Sequence, residues 1–251
     1  MTAVGKIVVV GASGLVGAKV VDILRANGLE VLPASRRTGI DVLTGDGLAD
    51  ALRDAQVVVD VTDSPSYEGS ALMDFFTTAA DNLVAAERAT RVAHHVALSV
   101  VGADRMPDSG YMRAKVAQES RIAGSGVPHT ILRATQFFEF ARGIADACGD
   151  GNTVRVPDAL IQPVAATEVA AKLTAIAVAA PADGVVEFGG PQHLPFAEFI
   201  GTALTHYRDS RPVVTDPSAR YFGAVLQSRT LIADDDAARA VIRFRDWLAG
   251  R

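Results

Sequence analysis

The sequence predicts an α/β fold, a doubly wound parallel β-sheet with helices on both faces and a small C-terminal α+β lobe. Short β-branched runs alternate with helical patterns from Lys6 to about Phe140, a rhythm that is typical of parallel sheets. The run QVVVDVT is apolar almost throughout, as expected for a strand covered on both faces. A glycine-rich turn directly follows the first apolar run.

The elements of the predicted core follow one another in a regular order. We expect strands at KIVVV, EVLPASRR, GIDVL, QVVVDVT, HHVALSVV and HTILRA. We expect helices at LVGAKVVDILRANG, residues 46–55, ALMDFFTTAADNLVAAERA and YMRAKVAQESRIAG. Each helix is identified by apolar residues at helical spacing.

Beyond Gly149 the alternation loosens. Short strands are expected at NTVRVP, LIQPVA, GVVEFGG and RPVVTD, and helices at residues 167–179, 196–207 and 235–249. We therefore predict a core over residues 1–149 and a small lobe over residues 150–251, the two interleaved in one compact unit, with the lobe at the carboxyl edge of the sheet.

Composition excludes several classes of function. The chain has 251 residues with a formal net charge of −5, which argues against a nucleic-acid partner because phosphate backbones favour clustered Lys and Arg. The single cysteine, Cys148, excludes an internal disulfide and suits a reducing compartment. No signal peptide and no membrane span are expected, since the first apolar run is short and meets Gly11. We expect a cytoplasmic protein.

The loop GASGLVG places Gly11, Gly14 and Gly17 three residues apart between a strand and a helix. In this context the first glycine permits a tight turn, the second lets the backbone approach a pyrophosphate, and the third allows close packing of helix on strand. The sequence therefore predicts a Rossmann-type dinucleotide site. Its residues are the loop Gly11, Ala12, Ser13, Gly14, Leu15, Val16 and Gly17, together with Val61 and Thr62, which follow a later strand and are expected to line the adenine side.

The end of the second strand indicates which dinucleotide binds. An acidic residue there would bind the ribose hydroxyls of NAD, but this chain has Ser35, Arg36 and Arg37. A guanidinium holds a 2′-phosphate through charge-assisted hydrogen bonds. NADP(H) is therefore preferred over NAD(H), with solvated arginines as the alternative.

Tyr111 and Lys115 lie one helical turn apart in DSGYMRAK, after Ser99 at the end of a predicted strand. With these residues the chain resembles the short-chain dehydrogenase/reductase superfamily, which has a serine after the fifth strand and a later Tyr-x-x-x-Lys. GASGLVG, NLVAAERA, YMRAKVAQE and SGVPHTILRATQFFEF are most similar to its atypical branch, the NmrA-like and NADPH-dependent quinone oxidoreductase-like proteins.

The resemblance implies catalytic roles for three residues. Lys115 would bind the nicotinamide ribose and lower the phenol pKa of Tyr111. Tyr111 would donate its proton to a carbonyl or quinone oxygen, and Ser99 would hydrogen-bond that oxygen. Members of this branch often keep the lysine without a tyrosine acid, so a role in cofactor binding alone stays open for Lys115.

The resemblance also suggests where substrate would lie. The loop RATQFFEF would close over the nicotinamide, although Ala134 stands where the family commonly has proline. Candidates to line the substrate are Gln136, Phe137, Phe138 and Tyr221, with core packing as the alternative for the aromatic residues. Asn82 matches a family asparagine for which a structural role is expected.

The favoured function is hydride transfer from NADPH to a small carbonyl or quinone. One alternative is a non-catalytic, NADP(H)-sensing regulator of NmrA type. A nucleotide-sugar epimerase or dehydratase ranks lower, because the C-terminal segment looks too short for it. No metal is expected, since the adjacent His94 and His95 of a strand point to opposite faces, and a homodimer is possible.

Overall fold

The computed structural model describes residues 5–66 and 69–250. Within them the strands are β1 Lys6–Val10, β2 Val31–Ala34, β3 Ala55–Asp60, β4 His94–Val100, β5 His129–Ala134, β6 Val154–Val156, β7 Leu160–Ile161, β8 Gly184–Gly189, β9 Leu194–Pro195, β10 Val213–Thr215 and β11 Ala238–Arg239. The α-helices are α1 Leu15–Ala26, α2 Leu48–Leu52, α3 Gly69–Thr90, α4 Gly110–Ala123, α5 Ala141–Ala147, α6 Ala166–Ala177, α7 Phe196–His206 and α8 Phe244–Ala249.

A seven-stranded parallel sheet has the strand order β11-β8-β5-β4-β3-β1-β2. The chain runs from β1 to β2 on one side and returns to β3 on the other, so strand order reverses between β1 and β3. Open α/β sheets bind ligands at the carboxyl ends of the strands at such a point. The predicted α/β fold with a Rossmann-type parallel sheet is confirmed.

Contacts divide the chain into two compact units, each assembled from three stretches. Unit 1 comprises residues 1–99, 114–133 and 169–186, and unit 2 comprises residues 100–113, 134–168 and 187–251. These units do not follow the expected division at residue 149. The segment GVVEFGG, expected in the lobe, is β8 of the main sheet beside β5, because the helix α6 makes one more parallel crossover.

Two local expectations are wrong. The segment GIDVL forms turns instead of a strand, because Gly39, Gly45 and Gly47 all have positive φ and Asp41 Oδ1 accepts a hydrogen bond from the backbone N–H of Leu43 at 2.8 Å. The helix expected at residues 46–55 is correspondingly reduced to α2.

The last helix is also shorter than expected. Only the six residues of α8 are helical, and β11 precedes them. The carboxylate of Glu168 accepts hydrogen bonds from the backbone N–H groups of Val241 and Ile242, and these two residues precede α8 without being helical.

Within unit 1, an apolar core lies between the sheet and the helices α2 and α3. It includes Val8, Val58, Leu52 and Leu83, each fully buried. In the described part of the chain, no helix combines the length and the apolar character that a bilayer crossing requires.

Candidate functional site

The glycine loop at the carboxyl end of β1 is shaped for close backbone approach. Gly11 has a φ of +82°, and a Cβ placed there would lie 2.7 Å from Val61 O. A Cβ at Gly17 would lie 2.2 Å from Gly11 O, whereas one at Gly14 would meet only Gly11 O, at 3.3 Å. Gly11 and Gly17 are therefore required by packing, whereas a Cβ at Gly14 would make one tight contact, with Gly11 O.

The N-terminus of α1 favours an anion at this place. Its first turn contains no acidic side chain, and the first N–H groups of a helix have no partner within it. Their dipoles give the terminus a partial positive charge. The loop therefore fits a pyrophosphate group.

A cleft of about 300 Å³ opens beside this loop, within unit 1. Five predicted cofactor residues line it, namely Gly11, Ser13, Ser35, Arg36 and Thr62. Ala12, Val16 and Gly17 are buried beneath the loop, and Gly14 and Leu15 are exposed. Val61 packs its carbonyl oxygen against Gly11.

Sequence reasoning missed a second wall of the cleft. The residues on this wall are Ile40, Asp41, Val42, Leu43, Asp63, Pro65 and Phe75. Asn82 on α3 fixes it, since its Nδ2 donates to Val42 O at 2.8 Å and to Leu43 O at 3.0 Å. Asn82 therefore has a structural role. Its match to the family asparagine was the sequence feature that could have indicated this second wall.

The two arginines after β2 are not equivalent. Ser35 begins a tight turn, in which its backbone N–H donates to Thr38 Oγ1 at 2.9 Å. Both Arg36 and Arg37 are exposed, but only Arg36 lines the cleft. Within residues 5–66 and 69–250, neither guanidinium forms an ion pair, so the charge of Arg36 is available to a ligand.

Lys115 on α4 is buried, with 2% of its surface exposed. Its Nζ donates to Leu98 O at 2.9 Å and to Gln118 Oε1, and lies 4.6 Å from the centroid of the Phe76 ring. Burial lowers the pKa of Lys115, and the charges of Asp60, Asp63 and Glu119 oppose this effect.

Gln118 continues the network that begins at Lys115. Its Nε2 donates to Asp60 Oδ2 at 2.8 Å, and Asp60 Oδ1 accepts from the backbone N–H of Thr62 at 2.9 Å. Gln118 and Asp60 are both buried, and neither was identified from the sequence.

Ser99, at the end of β4, is buried and has a protein partner. Its Oγ donates to Glu119 Oε1 at 2.5 Å. Glu119 also accepts two hydrogen bonds from Arg133, at 3.0 and 2.7 Å. The hydroxyl is therefore engaged by a carboxylate on α4, and its binding to a substrate oxygen stays a prediction.

Tyr111 lies in the first turn of α4 and is half-buried. It belongs to unit 2 and Lys115 to unit 1, and their spacing of four residues places both on one face of the helix. The helix begins after Ser109, whose carbonyl accepts from the backbone N–H of Arg113 at 3.0 Å. The acid role of Tyr111 stays a prediction.

The predicted substrate-lining residues all belong to unit 2. Phe138 is fully buried against Phe244 and Trp247, with ring centroids 5.0 and 5.5 Å apart. Tyr221 is buried against Phe196, and this burial raises the pKa of its phenol. Phe138 and Tyr221 are therefore each packed against other aromatic side chains.

Gln136 and Phe137 lie after β5, from which Thr135 separates them. Phe137 stacks on the half-exposed Phe140 at 5.4 Å. Gln136 is buried, and within the described residues neither its Oε1 nor its Nε2 has a hydrogen-bond partner. Because unpaired buried amides are costly, Gln136 remains the stronger candidate of the two for contact with a ligand.

The two adjacent histidines are engaged within unit 1. His94 Nε2 lies 2.9 Å from Thr130 Oγ1, and His95 Nδ1 lies 2.7 Å from Glu87 Oε1. Across the part of the chain that the structure describes, no group of three His, Cys, Asp or Glu side chains could hold a metal ion.

No family model and no curated protein matches this chain, but solved structures do. UDP-glucose 4-epimerase from Thermus thermophilus, in complex with NAD, matches with a TM-score of 0.69 and 18% identity, over 90% of this chain and 92% of that chain. A short-chain dehydrogenase/reductase superfamily protein from Agrobacterium tumefaciens, with bound NAD, matches with a TM-score of 0.71 and 17% identity, over 98% and 95%.

A third match is dTDP-4-dehydrorhamnose reductase from Bacillus anthracis in complex with NADP. Its TM-score is 0.68 and its identity 12%, over 89% of this chain and 90% of that chain. These likenesses establish the fold. Each of the three proteins was solved with a bound nicotinamide dinucleotide.

Proposed function

We propose that this chain is an NADPH-dependent oxidoreductase of the short-chain dehydrogenase/reductase type, which transfers hydride to a small carbonyl or quinone. The observation that carries the proposal is the single cleft that residues of the glycine loop, Ser35 and Arg36 line together. The reversal of strand order next to that cleft and the dinucleotide-bound matches add support.

The preference for NADPH depends on Arg36. No carboxylate follows β2 directly, where it would repel a 2′-phosphate. Asp41 and Asp63 also line the cleft, but each already accepts a nearby backbone N–H through Oδ1, from Leu43 and from Ser64. Arg36 is thus the side chain best suited to a 2′-phosphate.

Bound NADPH supplies the hydride. In this proposal Lys115 binds the nicotinamide ribose and its positive charge favours the phenolate of Tyr111, which facilitates proton release. Tyr111 then donates its proton to the oxygen of the carbonyl or quinone that is being reduced. A positioned proton donor of this kind contributes about 10² to 10⁴ in rate.

A nucleotide-sugar epimerase is the second candidate, and the matched structures, which include epimerases and reductases, support it equally. The match to UDP-glucose 4-epimerase covers 92% of that chain, so a short C-terminal segment is no longer a reason to rank this candidate lower. An epimerase returns hydride to the same sugar and needs no external acceptor, which makes the two candidates separable by assay.

The test is NADPH oxidation by the purified protein with a panel of quinones, aldehydes and ketones, with NADH in parallel. The same preparation is incubated with UDP-glucose and NAD, and the sugar products are analysed. Acceptor-dependent oxidation that favours NADPH is expected. Epimerisation without an acceptor would replace the proposal by the second candidate, and tight NADPH binding without turnover would favour a sensor.

A further inference from the structure

We infer that Gln118 is a positioning residue, whose carboxamide joins Asp60 to Lys115 and holds the Lys115 ammonium where it acts. The inference rests on the proposed function, in which Lys115 binds the nicotinamide ribose. It concerns residues of unit 1 alone.

The hydrogen-bond partners fix the orientation of the Gln118 amide. A carboxylate accepts hydrogen bonds and an ammonium only donates them. The Gln118 NH₂ group must therefore face Asp60 Oδ2, at 2.8 Å, which leaves Oε1 to accept from Lys115 Nζ. The reversed amide would set a donor against a donor and an acceptor against an acceptor.

Lys115 Nζ has three N–H donors. One is taken by Leu98 O at 2.9 Å and another by Gln118 Oε1. In the part of the chain that the structure describes, the third has no hydrogen-bond partner. With two donors fixed, the direction of the third is fixed as well, which is what preorganised binding of a ribose hydroxyl requires.

Asp60 also connects this network to the cofactor cleft. Its Oδ1 accepts from the backbone N–H of Thr62 at 2.9 Å, and Thr62 lines the cleft. One buried carboxylate therefore holds both the cleft wall at the end of β3 and, through Gln118, the lysine on α4.

The amide compensates for the burial of a charge. Burial lowers the pKa of Lys115, and the opposing carboxylates are Asp60 on β3, Asp63 after it and Glu119 on α4. Among the described residues Nζ donates to Leu98 O and Gln118 Oε1 rather than to these carboxylates, so Gln118 is the side chain that accepts from the ammonium. Removing that acceptor lowers the pKa further, because hydrogen bonds to a charged form favour it.

The test compares Gln118→Leu with Gln118→Glu by two measurements. The chain has four lysines, Lys6, Lys19, Lys115 and Lys172, so ¹³Cε-lysine NMR resolves the titration of Lys115 once Lys115→Arg has assigned its signal. NADPH affinity is measured by fluorescence titration. The matched control is Gln162→Leu, which removes another buried amide that bonds Gly190 O at 2.8 Å and the N–H of Ala233 at 2.9 Å.

In Gln118→Leu we expect the pKa of Lys115 to fall by about one unit and the NADPH Kd to rise about tenfold. Gln118→Glu restores an acceptor, and in it the pKa should equal or exceed that of the parent. Gln162→Leu should change neither quantity in the folded protein. A fall of the Lys115 pKa in Gln118→Leu with no fall in Gln118→Glu is not expected from a general loss of packing.

An unchanged Lys115 pKa in Gln118→Leu would overturn the inference, as would an equal fall in Gln162→Leu. The titration is made without cofactor, so it decides the inference even if the parent protein fails to bind NADPH. That failure would instead contradict the proposed function.

Discussion

Replacing Arg36 by alanine should reduce the preference for NADPH, and replacing Arg37 should not. Arg36 lines the cleft and Arg37 does not, although they are adjacent and both exposed. The pair therefore supplies its own control, because both substitutions remove one exposed guanidinium and change the net charge equally.

The magnitude follows from one charge-assisted hydrogen bond. Bonds to charged groups contribute about 1.5–3 kcal/mol, and exposure of Arg36 argues for the lower end. About 1.5 kcal/mol corresponds to roughly a tenfold rise in the NADPH Kd. NADH lacks the 2′-phosphate, so its Kd in Arg36→Ala should change less than about twofold. The NADPH Kd in Arg37→Ala should also change less than about twofold.

The assay is fluorescence titration of each variant with NADPH and NADH at fixed ionic strength, since screening weakens exposed charges. Equal losses for NADPH in Arg36→Ala and Arg37→Ala would show that only bulk charge matters. Equal losses for NADPH and NADH in Arg36→Ala would show that the guanidinium binds a group which the two cofactors share. Either result would refute the assignment of Arg36 to the 2′-phosphate.

Three further predictions test the catalytic and structural assignments. Tyr111→Phe should slow single-turnover reduction by about 10²-fold or more with NADPH affinity retained, and an unchanged rate would exclude the acid role. Gly17→Ala should lower the free energy of unfolding, measured in urea, by about 1–3 kcal/mol, because its Cβ would lie 2.2 Å from a backbone oxygen. The control is Gly143→Ala, whose Cβ would have nothing within 4 Å and which should not lower this free energy. Burial lowers the pKa of His94 from 6.5 to about 4. Between these pH values the unfolded chain therefore binds more protons than the folded one. The free energy of unfolding should fall by about 3 kcal/mol as the pH drops through that window. Unfolding of the parent and of His94→Gln from pH 7 to pH 4 checks this, and parallel stability profiles would contradict it.

The fold was predictable because its signals are local. The glycine loop, and each strand or helix of the alternating pattern, can be recognised within a short stretch of sequence, and most of these elements are present in the structure. GIDVL was misassigned because its path depends on glycines with positive φ and on Asn82, which lies about 40 residues away in the sequence. GVVEFGG has strand character, but its place beside β5 is set by long-range pairing.

The site was predictable only in part, for the same reason. Arg36 could be proposed from its position after a strand, and Lys115 from the resemblance. The contact between Gln118 and Asp60 joins residues 58 apart, and no spacing rule predicts it. The bond from Ser99 to Glu119 likewise spans 20 residues and two elements.

The choice between an enzyme and a cofactor-binding module depends mainly on Tyr111. Burial of a charged lysine costs folding free energy, even where an amide accepts a hydrogen bond from it. Cofactor binding alone would be a sufficient function for such a residue. Ser99 already bonds Glu119, so its presence needs no substrate. Tyr111 is different, because the proposed proton transfer needs its hydroxyl, whereas the proposed binding of the ribose by Lys115 does not. A rate that depends on the Tyr111 hydroxyl, with NADPH affinity unchanged, would therefore establish proton transfer and with it an enzyme.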